Sequence, residues 1–207
     1  MATNKAHDID RFSRWSRTYE RSYLQGLIFD RAHRAVLELI ASEGAAPESI
    51  LDVGCGTGRF LRQAAQRWPG ASLIGVDPAE GMIEMARRLT PGATFYVSMA
   101  EELPLPGASV DVAVTTLSFH HWSDQAAGVR EVARVLRPGG RFFLVDASTP
   151  AWMQKFVRLL NPYNPHPSRF LTPDAMRTLF EQAGLEIQTQ QRLFSRHVLL
   201  TTGVRPA

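Results

Sequence analysis

The chain has 207 residues, 44% of them hydrophobic, and this length and composition predict a single domain with one well-buried core. Its 23 basic and 20 acidic residues are scattered along the sequence, so the net charge of +3 does not indicate a nucleic-acid-binding surface. Cys55 is the only cysteine, which excludes an internal disulfide and a cysteine-rich metal site. The single cysteine fits a reducing cytoplasm, and no apolar run reaches the roughly 18 residues of a membrane span, so we expect a soluble cytoplasmic protein.

Apolar residues at helical spacing between residues 20 and 42 predict a helix that packs on the core, within an N-terminal helical cap of residues 1–45. After this cap, short apolar runs alternate with helical segments. The predicted strands are 49–53, 72–77, 93–98, 110–115 and 141–146, and the predicted helices are 58–68, 79–89 and 123–136. Such alternation is typical of a parallel sheet with helices on both faces.

The last third of the chain contains one further helix and two further strand candidates. Helix 123–136 is predicted to end at a turn, residues 137–140, that leads into the strand 141–146. The next helix is predicted to begin after Thr172, which can cap its N-terminus, and to end at Gly184. Two last strands are predicted at 185–190 and 195–202.

A glycine-rich turn follows the first predicted strand and indicates a ligand site. Gly54, Gly56 and Gly58 form a G-x-G-x-G pattern, and glycine lets bare backbone approach a bound molecule. Loops that bind a pyrophosphate attract negative charge through amide groups, and Asp52, two positions before the first glycine, would oppose that charge. The turn therefore predicts a ligand that carries a cation.

The stretch from residue 50 to 58 resembles the first motif of class I S-adenosylmethionine-dependent methyltransferases, in particular the type 11 group that includes the ubiquinone and menaquinone methyltransferases. Their cofactor carries an α-ammonium and a sulfonium but no phosphate, as the charge argument requires. The resemblance covers residues 49–146 and implies a Rossmann-like, doubly wound α/β fold with a mostly parallel seven-stranded sheet. Residues 147–207 would then supply a lid and the last two strands of one domain, 1–207.

In doubly wound sheets, ligands lie beyond the carboxyl ends of the strands. Asp77 ends the second predicted strand, where a carboxylate can accept both hydroxyls of a ribose. The resemblance places Pro78 and Met82 against the adenine, although Met82 would fit the core equally well. Met99 stands where the family usually has an acid, so adenine recognition would rely on the backbone of Ala100 and on apolar contact. The predicted cofactor-binding residues are Asp52, Gly54, Cys55, Gly56, Gly58, Asp77, Pro78, Met82, Met99, Ala100, Glu101, Leu117 and Tyr19.

Besides Met82, three of these residues have plainer alternatives. Cys55 is predicted to be a small residue that fits the turn and not a reactive thiol. Glu101 could be an exposed side chain without a role. Tyr19 is included because an N-terminal tyrosine often closes over the cofactor in the resembled family, but on a helix it would share a face with Trp15 and Tyr23 and could simply pack there.

The chemistry is predicted where the fourth strand ends, at two adjacent histidines. Because neighbouring residues of an extended chain point in opposite directions, we expect one of them, His120 in preference to His121, to face the pocket. A histidine can remove the proton of an attacking hydroxyl, and Asp146 at the end of the fifth strand could orient the imidazole. This pair resembles the His and Asp of methyltransferases that act on sugar hydroxyls; alternatively, the histidines are structural. No metal site is predicted.

The predicted function is methyl transfer from S-adenosyl-L-methionine to a hydroxyl oxygen of a small, partly apolar metabolite, with S-adenosyl-L-homocysteine as product. One alternative is methylation of a carbon of a quinone-like ring. Another is a module that binds the cofactor without catalysis, for which Met99 is the only indication.

The amphipathic segment 151–160 is predicted to form a pocket lid or the face of a homodimer, in preference to touching a membrane. The predicted partner is thus a small molecule, with neither nucleic acid nor stable membrane insertion.

Overall fold

The structure is a computed structural model that describes residues 23–148 and 169–207, with side chains from residue 29 onward. Tyr19, Trp15 and the amphipathic segment 151–160 lie outside the described residues, so the expectations for them stay predictions. Within the described ranges the strands are β1 (Ser49–Val53), β2 (Ser72–Asp77), β3 (Thr94–Val97), β4 (Val110–Thr116), β5 (Leu136–Ala147), β6 (Glu186–Arg192) and β7 (Val198–Val204). The helices are α1 (Tyr23–Ser42), α2 (Arg59–Arg67), α3 (Glu80–Leu89), α4 (Gln125–Val135) and α5 (Pro173–Gln182), with a short 3₁₀ turn at Phe119–His121.

The strands form one seven-stranded sheet in the order β3-β2-β1-β4-β5-β7-β6. The first five strands run parallel, and β7 is antiparallel to both β5 and β6. The order reverses between β1 and β4, which is where ligands bind in doubly wound sheets. The predicted Rossmann-like, mostly parallel seven-stranded fold is confirmed.

Buried side chains form two clusters that divide along the central strands. Phe142 of β5 packs in one cluster with residues of α4 and α5, and its ring stacks on Phe180 at a centroid distance of 5.1 Å. The next residue, Phe143, packs in the other cluster with residues of α1, α2 and α3. Because successive side chains of a strand point to opposite faces, the two clusters lie on opposite faces of the sheet, and helices cover both.

The predicted turn at residues 137–140 is wrong, because β5 already begins at Leu136. Leu136 pairs with Val110 of β4, and the register then shifts between Val110 and Val112. The backbone of Gly139 has φ of +78°, and its N–H donates to the carbonyl of Arg205 at 2.8 Å. The N–H of Arg205 in turn donates to the carbonyl of Gly140 at 2.8 Å, so the chain bends at these two glycines while their backbone groups stay hydrogen-bonded to the neighbouring segment.

The last two strands are displaced from their predicted positions toward the C-terminus. They occupy Glu186–Arg192 and Val198–Val204, whereas the pattern predicted 185–190 and 195–202. A tight turn causes the shift in the second strand: Ser195 accepts hydrogen bonds from the N–H groups of His197 and Val198, at 3.1 and 3.2 Å.

Candidate functional site

The glycine turn between β1 and α2 is built on left-handed backbone. Gly54, Gly56 and Gly58 have φ of +77°, +51° and +75°, which is a region that only glycine adopts readily. The turn is tied to β2, because the N–H groups of Gly54 and Cys55 both donate to the carbonyl of Val76, at 2.7 and 3.1 Å. A Cβ added to Gly56 would meet no atom within 4 Å, so open space lies over this part of the turn. A ligand can approach the backbone there.

Gly54 lies against Ser118 at the end of β4. A Cβ added to Gly54 would come within 2.2 Å of the Oγ of Ser118 and 2.6 Å of its Cβ. Ser118 is held in place by two hydrogen bonds of its Oγ, one with the hydroxyl of Thr115 (2.8 Å) and one to the carbonyl of Val53 (3.1 Å). The two loops of the site are therefore packed directly on each other.

Gly54→Ala is expected to destabilise the ligand-free protein by about 2–4 kcal/mol, since it adds a steric clash to the strain of a left-handed alanine. Gly56→Ala is the matched control: it carries the same kind of backbone strain but no clash, and is expected to cost about 1 kcal/mol. Chemical denaturation of both variants measures the difference. Equal losses would show that the contact between Gly54 and Ser118 does not constrain the site.

Two carboxyl groups lie beside the turn, and one of them is unsatisfied. Asp52 is 2% exposed, and its Oδ1 has no hydrogen-bond partner. Asp77 accepts hydrogen bonds from the N–H groups of Gly56 (3.0 Å) and Ala79 (2.9 Å), one on each oxygen. Burial raises the pKa of Asp52 to about 8, with a further contribution from the charge of Asp77. Burial also raises the pKa of Asp77 to about 6, against the opposing effect of its two amide donors. A bound cation would favour the ionised form of both carboxyl groups and so oppose both increases in pKa.

Asp52→Asn is expected to raise the melting temperature of the ligand-free protein near pH 8. The pKa of Asp52 is about 8 in the fold against an ordinary 3.8, so its contribution to stability is complete below pH 3.8 and is lost as the pH rises through 8. Thermal denaturation between pH 4 and 9 should show this decline in the parent protein and a much shallower one in the variant. Glu131→Gln is the control, because the hydrogen bond from Arg134 lowers the pKa of Glu131 and its contribution is instead lost as the pH falls. An unchanged slope in Asp52→Asn would contradict the interpretation.

The residues predicted to meet adenine lie on the segments that follow β2 and β3. Met82 and Ala100 are buried, whereas Pro78 and Met99 are partly exposed. Glu101 is not a free surface side chain: its Oε1 accepts the N–H of Asp124 at 2.8 Å, and its Oε2 is buried without a partner. Glu101 thus connects the loop after β3 to the start of α4, where Asp124 is the N-cap residue.

Cys55 packs in the core beneath the turn. Its side chain is 7% exposed, and a Cβ added to Gly75 of β2 would lie 2.8 Å from its Sγ. Burial, together with the charges of Asp77 and Asp52, raises the pKa of the thiol well above its ordinary value. These features favour the prediction of a small packing residue over a reactive thiol.

The chain leaves β4 through a strained residue and enters the 3₁₀ turn. Leu117 has φ of +53°, which is unusual for a large side chain and costs on the order of 1–3 kcal/mol. Its N–H donates to the carbonyl of Val145 on β5 at 2.8 Å, so the strained residue is held by the neighbouring strand. This conformation turns the chain sharply and places the histidines beside the end of β5.

His120 and Asp146 form a pair at this edge of the sheet. The Nδ1 of His120 lies 2.8 Å from Oδ1 of Asp146 and 3.1 Å from its Oδ2, and the backbone N–H of His120 donates to Oδ2 at 2.7 Å. Asp146 is 2% exposed and also accepts the N–H of Ala147 at 2.6 Å. An ionised Asp146 assigns the proton to Nδ1, which leaves Nε2 of His120 as the nitrogen that can accept a proton.

The expectation that the two histidines point in opposite directions is wrong. Residues Phe119–His121 form a 3₁₀ turn and not a strand, so the alternation of extended chain does not apply. The rings of His120 and His121 lie together, with centroids 4.0 Å apart. The ring of Phe170 lies 4.7 Å from that of His120, and His120 is only 14% exposed whereas His121 is exposed.

A third histidine near the site was not predicted from the sequence. His33 of α1 is 4% exposed, and its Nε2 lies 3.1 Å from the hydroxyl of Thr116, the last residue of β4. Burial lowers the pKa of His33 to about 3, and the charges of Arg59 and Arg62 add to this effect, so the ring is neutral. The only sequence signal was a histidine within the apolar stripe of a helix.

Comparisons with known proteins agree on one family. A model of the methyltransferase domain family matches residues 51–144 of this chain. A protein of Mycolicibacterium smegmatis named as a probable S-adenosylmethionine-dependent methyltransferase is 34% identical over 167 residues, which are 79% of this chain and 62% of that protein. The demethylmenaquinone methyltransferase of Symbiobacterium thermophilum is 35% identical over 138 residues, 63% of this chain and 53% of that protein. The chain thus spans less than two thirds of the length of these relatives.

The fold is also similar to that of a solved S-adenosylmethionine-dependent methyltransferase from Thermotoga maritima. The TM-score is 0.72 at 22% sequence identity, over 94% of this chain and 98% of that one.

Among the described residues, no helix combines the length and the apolar character needed to cross a membrane. No cluster of three or more potential metal-binding side chains is found in the same part of the chain.

Proposed function

This chain belongs to the class I S-adenosylmethionine-dependent methyltransferases, and from that premise we propose that it transfers a methyl group to a hydroxyl oxygen of a small, partly apolar metabolite. The pair formed by His120 and Asp146 carries this proposal. It supplies a proton acceptor at the carboxyl edge of the sheet, beside the glycine turn, and a hydroxyl nucleophile needs such a group.

The residues at the glycine turn fit S-adenosylmethionine. Its α-ammonium would give the unpartnered Oδ1 of Asp52 the cation that this buried carboxyl group lacks. Asp77 would accept the ribose hydroxyls, since a carboxylate that receives two amide donors retains free lone pairs. The open space at Gly56 would admit the ligand to the backbone. Pro78, Met82, Met99 and Ala100 would line the adenine side.

When bound, the cofactor supplies an electrophilic methyl group on a sulfonium. The protein then has two tasks: to hold the acceptor in line and to take up the proton of its hydroxyl. Nε2 of His120 would accept that proton, and Asp146 would stabilise the resulting imidazolium through the bond at Nδ1. The low exposure of both side chains excludes much of the surrounding water, which strengthens their electrostatic interaction.

A quinone-like acceptor is the second candidate. The Symbiobacterium relative is named for demethylmenaquinone, and its alignment covers 63% of this chain. Methylation of a ring carbon would also use a proton acceptor, so the same histidine could serve either reaction. The two candidates differ in the atom that carries the new methyl group.

The first test is calorimetric titration of the protein with S-adenosylhomocysteine, with NAD as the control ligand. We expect saturable micromolar binding of S-adenosylhomocysteine and no binding of NAD. Absence of S-adenosylhomocysteine binding would overturn the proposal. Phenolic, sugar and quinone acceptors would then be screened with isotopically labelled donor, and the position of the label in the product would distinguish oxygen from carbon methylation.

A further inference from the structure

A short segment of chain packs against His120, the histidine that pairs with Asp146. Residues Arg169–Leu171, which we call the strap, lie directly before α5, and their middle residue, Phe170, places its ring 4.7 Å from that of His120. The N–H of Arg169 donates to the carbonyl of His120 at 3.3 Å. The strap therefore contacts both the backbone and the side chain of this histidine.

One side chain fastens the strap to the 3₁₀ turn. Gln125, the first residue of α4, is only 8% exposed, and its Nε2 donates to the carbonyls of Phe119 (3.1 Å) and Arg169 (2.9 Å). One carbonyl belongs to the 3₁₀ turn and the other to the strap. Both hydrogens of the amide group are used, and the carbonyl of Phe119 also accepts the N–H of Trp122 at 3.0 Å. Gln125 is thus committed to this junction.

Two further contacts hold the strap. The hydroxyl of Ser148, two residues beyond Asp146, donates to the carbonyl of Leu171 at 2.9 Å, and the guanidinium of Arg169 donates to the carbonyl of Ser123 at 2.7 Å. The strap is consequently fixed to the turn at one end and to the end of β5 at the other. Phe170 lies between these fastenings.

We propose that Gln125 is a positioning residue of the candidate active site: it clamps the strap to the 3₁₀ turn, so that the ring of Phe170 stays against that of His120 and Asp146 stays hydrogen-bonded to Nδ1. The clamp leaves Nε2 as the nitrogen of His120 that can take up a proton. The role of this clamp in catalysis rests on the proposed function, but the position of Phe170 and the tautomer of His120 can be measured without turnover.

The test is nuclear magnetic resonance of the full chain without ligand, with side-chain ¹⁵N signals of His120 assigned through His120→Gln. In the parent protein we expect the tautomer protonated at Nδ1 and nuclear Overhauser effects between Phe170 and His120. In Gln125→Leu we expect at least a twofold loss of these Overhauser effects and a mixture of both tautomers. Unchanged signals in that variant would overturn the proposal.

Gln190→Leu is the matched control. Its Nε2 also donates to two acceptors, the carbonyl of Pro173 (2.9 Å) and the hydroxyl of Thr201 (3.2 Å), but it lies on β6. This variant should lose stability and keep the His120 signals; a loss of those signals would show that they report general loosening, and would overturn the proposal.

Two further readouts keep the test decisive. If Gln125→Leu does not fold, Gln125→Glu preserves the side-chain length while replacing the donor with an acceptor, and the same two outcomes apply to it. The signals of buried His33 report whether the fold is intact. The proposed function fails separately, through unchanged methylation by His120→Gln, which leaves the result on Gln125 intact.

Discussion

Asp77→Ala is expected to reduce the affinity for S-adenosylhomocysteine by at least 100-fold. Each hydrogen bond from a ribose hydroxyl to a carboxylate contributes about 1.5–3 kcal/mol, so the loss of two corresponds to roughly 10²- to 10⁴-fold. The same carboxylate holds the N–H groups of Gly56 and Ala79, so its removal also loosens the glycine turn. Calorimetric titration measures the affinity directly.

The control for Asp77→Ala lies at the opposite edge of the sheet. Asp111 also accepts two backbone N–H groups, those of Glu48 (3.0 Å) and Ser49 (2.9 Å), at the amino end of β1. Asp111→Ala should lower stability and leave the affinity for S-adenosylhomocysteine within about twofold of the parent protein. If folded Asp77→Ala still binds with an affinity within threefold of the parent, the assignment of Asp77 to the ribose is wrong.

The parts of the site that follow strand ends could be predicted from the sequence. In a parallel sheet the carboxyl ends of all strands share one edge, so an acid or a histidine just after an apolar run is placed without knowledge of side-chain contacts. This argument brought Asp52, Asp77, His120 and Asp146 to one edge, and the structure shows them there. The glycine turn was predictable for a similar reason, because the left-handed backbone requires its residue type.

The parts of the site that depend on local backbone outside the strands were not predictable. The 3₁₀ turn follows Leu117, whose φ is +53°, and no sequence pattern predicts a left-handed conformation for a leucine. The close approach of the His120 and His121 rings depends on that turn, and the assumption of extended chain therefore failed. The early start of β5 was missed for a similar reason: residues 137–140 were predicted as a turn, whereas the pairs of Leu136 with Val110 and of Arg141 with Val112 enclose them within the strand as an irregularity.

Contacts between distant positions account for the residues that were missed. Gln125 reaches a carbonyl 44 positions away, and His33 reaches a hydroxyl 83 positions away. Each residue has an ordinary local explanation, as a polar residue in the first turn of a helix or as a member of an apolar stripe. Their roles become visible only when packing brings the distant partner into reach.

His120→Gln is expected to lower kcat by about 10²- to 10⁴-fold, the usual contribution of a general base, once the screen with labelled donor has identified an acceptor. The affinity for S-adenosylhomocysteine should stay within about twofold of the parent value, because the cofactor is assigned to other residues. His121→Gln tests which of the two histidines is the base. Because His121 is exposed, we expect kcat of this variant to fall less than tenfold. A larger loss in His121→Gln than in His120→Gln would reassign the base.

The double variant of His120 and Asp146 tests whether the two residues act as a unit, which neither single variant can do. Asp146 is expected to act only through the imidazole that it holds at 2.8 Å, so Asp146→Asn should lower kcat without effect on cofactor affinity. Once the imidazole of His120 is absent, the acid has no proton acceptor left to orient, and residues that act as a unit are strongly non-additive. The double variant His120→Gln, Asp146→Asn should therefore lose no more than threefold in kcat beyond His120→Gln alone. Losses that multiply would show that Asp146 contributes to the reaction independently of the histidine.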